Sequence, residues 1–598
     1  MQLLNLKEII ESTASPRSQS SKHQFFLVLT LPPISPQTAR EIARFSTRFR
    51  VVLLGSTKTK DGSTFDRQQR AYKKEGFWRA DNFSDPLFDP KNPATSRTIA
   101  VASYLYLTKH HGPTSYYKFA IKHKLERSLP AERAFTLNPN PKWKGLLQDR
   151  IYAGFFDEAA EGLRNRSSFW FSIYWLGLTR KFLYSGSPSP RGLKDYVAYL
   201  DLIQTPEFNR KASRDDPEIG YSASTTDPYL LPDDHPAAIF RSASYCYQRW
   251  ILDADLDEFD RGIKARKCLS TWLIRRDMGS ACPLFSENTI ARSLPPKRHF
   301  ILETVLSPTG YRWYHRFEKF WIPRLMILRR STTRPEDKGT PTPNGRSLRA
   351  LAMLSFFYLL GFLHKDHPVD ETVRNDAFQG IMPDDIEELN RDRHSFFYEK
   401  SEIFKSMPAI SKDGQRIRWL FKTIFRLQKE FGTRYPPLAE ADFDGMTNFD
   451  LATLFLSYSP KMAAAISLLQ YHTVLRQEKV IVWFQTPFNQ ELCQEVLMLL
   501  GFKLYSMYSA TLPESRDNIV LNFNKSSDKT MILLAGIKVG GTGLNLQHDS
   551  HVSIAMDAYN SLDQKLQTEG RQHRTGQVVE CVFYQPIVDG THDYATIR

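Results

Sequence analysis

A glycine-rich stretch, Gly540-Gly541-Thr542-Gly543-Leu544-Asn545-Leu546, follows an apolar run at 531–535 that has the length and composition of a buried strand. Glycines after a strand let backbone N–H groups approach a phosphate closely, and the hydroxyl of Thr542 adds a further donor. The same pattern is also typical of an ordinary tight turn. The stretch therefore identifies a candidate phosphate loop but does not establish one by itself.

A second polar stretch lies further along the chain and reads Gln567-Thr568-Glu569-Gly570-Arg571-Gln572-His573-Arg574-Thr575-Gly576-Gln577. Because Arg571 and Arg574 are three residues apart, we predict that they share one face of a helix. Two guanidinium groups on one face can bind the oxygens of a transferring γ-phosphate. A lone RxxR pattern is more often a solvated face that pairs with carboxylates, so its context decides.

Together these segments closely resemble motifs V and VI of the SNF2 family of helicase-like DNA translocases. Two shorter segments, Ser459-Pro460-Lys461 and Asp589-Gly590-Thr591, resemble the start of the family's second lobe and the segment after motif VI. Residues 479–484, Lys followed by the apolar Val-Ile-Val-Trp-Phe, resemble motif IV. The resemblance implies a γ-phosphate role for both arginines, DNA contact by Thr542, and ATP binding or lobe coupling by Gln567, Gly541, Gly543 and Gln577.

A carboxylate pair, Asp157-Glu158, follows the apolar run 151–156 and is the candidate for the first half of an ATP site. A carboxylate at the carboxyl end of a parallel strand points into the ligand crevice. In that position Asp157 would hold Mg²⁺ and Glu158 would polarise the attacking water. An isolated Asp-Glu after a strand is more often a charge pair at a helix N-terminus.

The resemblance extends through this region, because residues 157–188 resemble the family's run from motif II to motif III. Arg180-Lys181-Phe182-Leu183-Tyr184-Ser185-Gly186-Ser187-Pro188 resembles the motif III segment, which implies DNA contact by Ser185 and Ser187. Residues 26–33 resemble motif Ia. Ala160 stands where the family usually has His, so the coupling of the lobes is in doubt.

The phosphate-binding segment GxxxxGK[ST] is missing from these 598 residues, which contain no Gly-Lys dipeptide. The nearest imitation, residues 55–58, follows the wrong strand. We predict that residues 1–12 form the helix whose N-terminus would hold the phosphate, so the chain would be a truncated or decayed copy. An evolved pseudo-ATPase is the less favoured alternative.

Composition agrees with a polyanionic partner, since 80 Lys and Arg against 65 Asp and Glu give a net charge of +15. The five cysteines include no CxxC pair, which argues against a zinc site or a disulfide framework. The longest apolar run, 350–363, is shorter than the roughly 20 residues that cross a bilayer, so we expect a buried helix and no membrane.

We therefore predict an α/β protein with two RecA-like lobes: a partial N-terminal lobe (1–210), an inter-lobe and helical region (211–455) and a C-terminal helicase lobe (456–598). The resemblance implies ATP and Mg²⁺ as cofactors, double-stranded DNA or chromatin as partner, and a nuclear location. Further protein partners are left open. The predicted function is ATP-dependent translocation on duplex DNA, inactive in this chain alone. The alternatives are a non-catalytic DNA-binding scaffold and, less favoured, an RNA helicase.

Overall fold

The chain forms two compact units, residues Met1–Ile290 and Ala291–Arg598, each described here by itself. Its structure is a computed structural model. The model describes residues 23–55, 76–123, 139–143, 145–147, 149–163, 167–178, 180–186, 192–274, 280–282, 285–289, 292, 294–328, 341–343, 345–363, 407–430, 436–508, 511, 513–540, 544–559 and 561–595. The predicted helix 1–12 and most of the 55–58 segment lie outside these residues.

Unit 1 contains a six-stranded parallel sheet with the strand order β3-β2-β4-β1-β5-β6. The strands are β1 (Phe25–Thr30), β2 (Arg50–Leu54), β3 (Trp78–Ala80), β4 (Thr98–Ser103), β5 (Ile151–Phe156) and β6 (Lys181–Leu183). Successive side chains of a strand point to opposite faces, so Phe25 and Leu27 pack on one side while Phe26 and Val28 pack on the other. Both faces are covered, which explains why β1 is apolar from Phe25 to Leu29.

Helices and short turns cover this sheet. The α-helices are α1 (Ser35–Phe45), α2 (Tyr104–His111), α3 (Pro113–Lys122), α4 (Ala159–Gly162), α5 (Ser168–Tyr174), α6 (Asp195–Ile203), α7 (Pro206–Ala212), α8 (Ser244–Tyr247) and α9 (Glu258–Leu269). A π-helical turn, Gln248–Leu252, continues α8. A small antiparallel pair, β7 (Ala281–Cys282) and β8 (Phe285–Thr289), ends the unit.

Residues 205–245 are rich in Asp, Pro, Ser and Thr and consist mainly of turns and short helices, yet the segment is packed into unit 1. Tyr221, Tyr229 and Phe240 are buried in the main core of unit 1. Arg241 is also buried, and it donates to the backbone carbonyls of Pro228 and Leu231 and to Asp233. The side chains of Thr205, Asp215 and Asp227 accept hydrogen bonds from backbone amides of the segment, so a polar composition accompanies a packed structure.

Unit 2 contains a second six-stranded sheet, in the order β13-β14-β12-β15-β16-β9, in which every neighbouring pair is parallel. Its strands are β9 (Lys297–Thr304), β12 (Lys479–Phe484), β13 (Leu504–Met507), β14 (Ile532–Gly536), β15 (Ser550–Ala555) and β16 (Cys581–Val588); a separate pair joins β10 (Met326–Leu328) to β11 (Pro341–Pro343). Val480 and Val482 pack on one face of β12, and Ile481 and Trp483 on the other.

Ten helices are described in unit 2, and they pack mainly against one face of its sheet. They are α10 (Pro308–Trp321), α11 (Gly345–Phe356), α12 (Gln415–Glu430), α13 (Asn448–Ser457), α14 (Pro460–Leu469), α15 (Pro487–Leu499), α16 (Pro513–Phe523), α17 (Ile537–Gly540), α18 (Leu562–Glu569) and α19 (His592–Ala595). The apolar run 350–363 is buried as predicted, but it is α11 followed by a 3-10 turn at Tyr358–Leu363.

The α/β fold class predicted from the sequence is confirmed, with one parallel sheet in each unit as RecA-like lobes require. Most described residues between 211 and 455 are helical or in turns. In the structure the chain up to 290 belongs to unit 1 and the remainder to unit 2. The domain boundaries that the sequence suggests at residues 210 and 455 stay predictions.

Candidate functional site

Asp157 and Glu158 lie where β5 ends, at the carboxyl edge of the unit 1 sheet. The amide of Asp157 donates to the carbonyl of Leu29 at 2.9 Å, so its backbone is fixed to the neighbouring strand β1. Glu158 has a φ of 48°, in the left-handed region that non-glycine residues seldom adopt. The strain at Glu158 is the kind that concentrates at functional sites, and it turns the chain sharply away from the strand.

Two tyrosines surround this carboxylate pair. The hydroxyl of Tyr104 donates to the backbone carbonyl of Asp157 at 2.8 Å. Burial, together with the negative charges of Asp157 and Glu158, raises the pKa of Tyr104 well above its usual value. Burial and Asp157 likewise raise the pKa of Tyr184 to about 12. Both phenols therefore stay neutral at physiological pH, and Tyr104 serves as a fixed hydrogen-bond donor behind the site.

The motif III segment reaches the same edge of the sheet. The amide of Tyr184 donates to the carbonyl of Phe156 at 2.9 Å, and the amide of Ala159 donates to the carbonyl of Tyr184 at 2.8 Å. Ser185 follows directly and is half-buried. The parallel pairing of β5 and β6 thus brings Ser185 near the carboxylate pair, whereas Ser187 lies outside the described residues.

The prediction that Arg571 and Arg574 share a helix face is wrong. Helix α18 ends at Glu569, and residues 570–576 form a series of tight turns. Gly570 weakens the helix, and the buried side chain of Gln572 binds the carbonyl of Val552 at 3.0 Å, which fixes the chain to β15. As a result Arg571 is buried and Arg574 is exposed.

A side chain from the motif V segment holds the exposed arginine. The guanidinium of Arg574 donates to the amide oxygen of Asn545 at 2.6 Å. The backbone carbonyl of Asn545 in turn accepts from the side chain of Asn524 at 2.7 Å. Sequence reasoning missed Asn545 and Asn524 as site residues. Residues Gly541, Thr542 and Gly543, the predicted phosphate-loop and DNA-contact residues, lie outside the described part of the chain.

The two predicted glutamines differ in their surroundings. Gln567 is half-buried on α18. Gln577 is buried, and its amide nitrogen donates to the carbonyls of Gln547 and Ser550 at 3.1 and 3.0 Å. Its amide oxygen accepts from the backbone of residues 578 and 579. Gln577 therefore closes the turn that carries Arg574, while its role in ATP binding or lobe coupling stays a prediction.

The carboxylate donors of unit 1 fit a magnesium ion, because Mg²⁺ prefers a few carboxylate oxygens and keeps several waters. In the described part of the chain no group of three or more His, Cys, Asp or Glu side chains could hold a metal. A site built around Asp157 would thus depend on waters and phosphates for its remaining ligands. Among the described helices, none is both long enough and apolar enough to span a bilayer.

Comparisons with known proteins include one family model, and its match lies in the second unit. Residues 460–576 match the model of the helicase conserved C-terminal domain. The ATP-dependent helicase fft2 of Schizosaccharomyces pombe is 24% identical over 419 residues, which cover 69% of this chain and 27% of that protein. The ISWI chromatin-remodeling complex ATPase CHR11 of Arabidopsis thaliana is 23% identical over 36% of this chain and 20% of its own length.

Fun30 occurs in both the sequence and the structure comparison. The ATP-dependent helicase FUN30 of Saccharomyces cerevisiae is 27% identical over 23% of this chain and 14% of that protein. A crystal structure of the C-terminal part of the Fun30 ATPase domain aligns at 17% identity and a TM-score of 0.32, covering 51% of this chain and 89% of that one. The chain spans about a quarter or less of the length of these curated relatives. The match to the helicase conserved C-terminal domain and these relatives support an assignment of the chain to the SNF2 family of superfamily 2 helicase-like proteins.

Proposed function

We propose that this chain is the motor core of a protein that couples ATP hydrolysis to movement on duplex DNA and thereby remodels chromatin. The observation that carries the proposal is Asp157-Glu158, fixed at the carboxyl end of β5 by the bonds of Asp157 to Leu29 and Tyr104. Parallel α/β sheets bind ligands at this edge. Relatives named as ATP-dependent helicases and remodelling ATPases support the use of ATP.

Each side chain then has a distinct task. The carboxylate of Asp157 would bind Mg²⁺, which when present neutralises charge on the ATP phosphates. Glu158 would accept a hydrogen bond from the attacking water and withdraw its proton. Arg574, exposed and oriented by Asn545, would stabilise the charge that develops on the γ-phosphate. Ser185 and Thr542 would contact DNA, and Gln567, Gly541 and Gly543 would contact phosphates or couple the lobes.

ATP turnover by these 598 residues alone should be undetectable, because they contain no Gly-Lys dipeptide and hence no GxxxxGK[ST] segment. That observation also favours the second candidate function, a non-catalytic DNA-binding scaffold. Both functions predict duplex DNA binding through basic side chains, in a nuclear protein. They differ in whether the chain joined to a segment that carries GxxxxGK[ST], called here the extended protein, hydrolyses ATP.

The deciding experiment measures DNA-stimulated ATP hydrolysis by the extended protein and by its Glu158→Gln variant. A motor should lose about 10²- to 10⁴-fold in turnover while retaining DNA affinity, because Gln cannot accept the water's proton. Glu207→Gln, which makes the same change at an exposed position of unit 1, is the matched control. DNA binding without hydrolysis would favour the scaffold, and equal affinity for RNA and duplex DNA would favour an RNA helicase.

A nuclear location is tested separately with a fluorescent fusion of the chain. Exclusion of that fusion from the nucleus would contradict a role on chromatin. ATP turnover by the 598-residue chain that falls on Arg574→Ala substitution would contradict the expected inactivity, but it would support the motor assignment.

A further inference from the structure

A surface cavity of unit 1 lies outside all the ATP-site segments. It has a volume of about 520 Å³, and the described residues that line it come from one stretch of chain: Tyr245, Gln248, Arg249, Trp250, Asp253 and Ala254. This stretch contains the π-helical turn Gln248–Leu252. Such turns interrupt regular helix bonding, and they occur frequently at functional sites.

Two aromatic side chains give the cavity its character. Tyr245 and Trp250 are both half-buried, and Trp250 packs against the main core of unit 1. The indole N–H of Trp250 is buried and has no hydrogen-bond partner among the described groups. The guanidinium of Arg249 lies 5.1 Å from the centre of the Trp250 ring. The indole face at this cavity thus already accepts a cation from the chain itself.

The chain that leaves the cavity is strongly acidic. Residues 253–260 read Asp-Ala-Asp-Leu-Asp-Glu-Phe-Asp, which is five carboxylates in eight residues of a protein with net charge +15. Asp253, Asp255 and Glu258 are exposed. The nearby base Arg261 donates to the backbone carbonyls of residues 251, 254 and 256, so its guanidinium holds the backbone of this segment.

We propose that this cavity and the acidic segment 253–260 bind a basic peptide segment of a partner protein. One lysine or arginine side chain enters the cavity against the ring of Tyr245, while Arg249 keeps its place over Trp250, and further basic residues lie against Asp253 and Asp255. The aromatic wall stabilises the inserted cation, and the carboxylates add charge-assisted hydrogen bonds. Nucleic acid and acidic surfaces are repelled by the same carboxylates. This site goes beyond the proposed function, because it requires neither ATP nor DNA.

The test is fluorescence anisotropy with a labelled peptide of lysine, arginine, glycine and serine, and with its counterpart in which glutamine replaces every basic residue. The wild-type chain should bind only the basic peptide. The double variant Asp253→Asn/Asp255→Asn should bind it about tenfold more weakly, because the charge-assisted bonds are lost. Glu218→Gln/Asp234→Asn, at two exposed positions of the same unit, is the matched control and should bind normally.

Tyr245→Ala adds a test of the aromatic wall and should weaken binding about threefold. Equal binding of both peptides, or unchanged affinity in the Asp253→Asn/Asp255→Asn variant, would overturn the proposal. Duplex DNA binding, measured on the same double variant, should be no weaker than that of wild type. A chain that binds the basic peptide but no DNA would refute the proposed function and leave this site standing.

Discussion

Replacing Lys461 with Met should destabilise unit 2 severely, because this lysine forms an ion pair inside the core. Its ammonium lies 2.7 Å from the carboxylate of Asp593, and the two side chains are only 1% and 2% exposed. The other oxygen of Asp593 accepts from the hydroxyl of Ser355 at 2.9 Å. Met keeps most of the lysine's volume, so the substitution removes the charge without opening a large cavity.

The magnitude follows from the charge that remains. Breaking a buried pair by removing one partner typically costs about 3–5 kcal/mol, because the other charge stays uncompensated in a medium of low polarity. The hydrogen bond from Ser355 offsets roughly 1 kcal/mol of that cost. Burial raises the pKa of the neighbouring Asp557, and Lys461 opposes that rise. Losing the ammonium therefore destabilises a second carboxylate, and we expect a net loss of about 3 kcal/mol.

The assay is urea unfolding followed by hydrogen exchange in peptides that cover β12, which reports on unit 2 separately from unit 1. A double-mutant cycle supplies the control. Lys461→Met/Asp593→Asn removes both charges, so it should recover at least about 2 kcal/mol relative to the sum of the single variants. Additive effects, or a loss below about 1 kcal/mol for Lys461→Met, would refute the ion pair as a main stabilising contact of unit 2.

Three further substitutions test other parts of the molecule. Burial raises the pKa of Glu495 to about 7, so as the pH rises this carboxyl group ionises in the unfolded chain before it does so in the folded one. The free energy of unfolding should therefore fall between about pH 4.5 and 7. The Glu495→Gln substitution should flatten this decline and add about 1–3 kcal/mol to that free energy at pH 8, measured by urea unfolding across that range. The Gly361→Ala substitution would place a methyl group 2.2 Å from the ring of Phe317 and should lower the free energy of unfolding by about 1–3 kcal/mol, measured by thermal unfolding. The control is Gly262→Ala, which lies in open space on a helix and should be neutral or stabilising. Tyr104→Phe removes the hydroxyl that holds the motif II backbone and should cost about 1 kcal/mol in urea unfolding of unit 1; an unchanged midpoint would contradict that bond.

The strands could be predicted from the sequence because both faces of each sheet are covered. A strand that is apolar at nearly every position has few other ways to bury its side chains, so the runs at 151–156 and 480–484 mark β5 and β12 within a residue. The carboxylate pair could be predicted for a related reason. Residues directly after the strands of a parallel sheet lie at the same edge of that sheet, and this does not depend on the rest of the fold.

Segments whose structure depends on distant partners were not predictable in the same way. Residues 205–245 appear polar in sequence, yet the buried guanidinium of Arg241 satisfies carbonyls and a carboxylate and lets the neighbouring tyrosines enter the core. The end of α18 depends on Glu569, whose carboxylate pairs with Lys297 and His299 on β9. A bond across some 270 residues leaves no local pattern, so the spacing of the two arginines wrongly indicated a continuous helix.

Asn545 connects the two C-terminal motifs, the glycine-rich stretch and the arginine stretch. In sequence, the glycine-rich stretch and the arginine stretch are separate signals, and each has an ordinary explanation. In the structure, the side chain of Asn545 orients Arg574, and its backbone is held by Asn524. Arg574 is exposed and has a long side chain, so without this contact it would sample many conformations. A substitution that removes the side-chain amide of Asn545 would therefore release the guanidinium of Arg574, so one side chain links the two motifs.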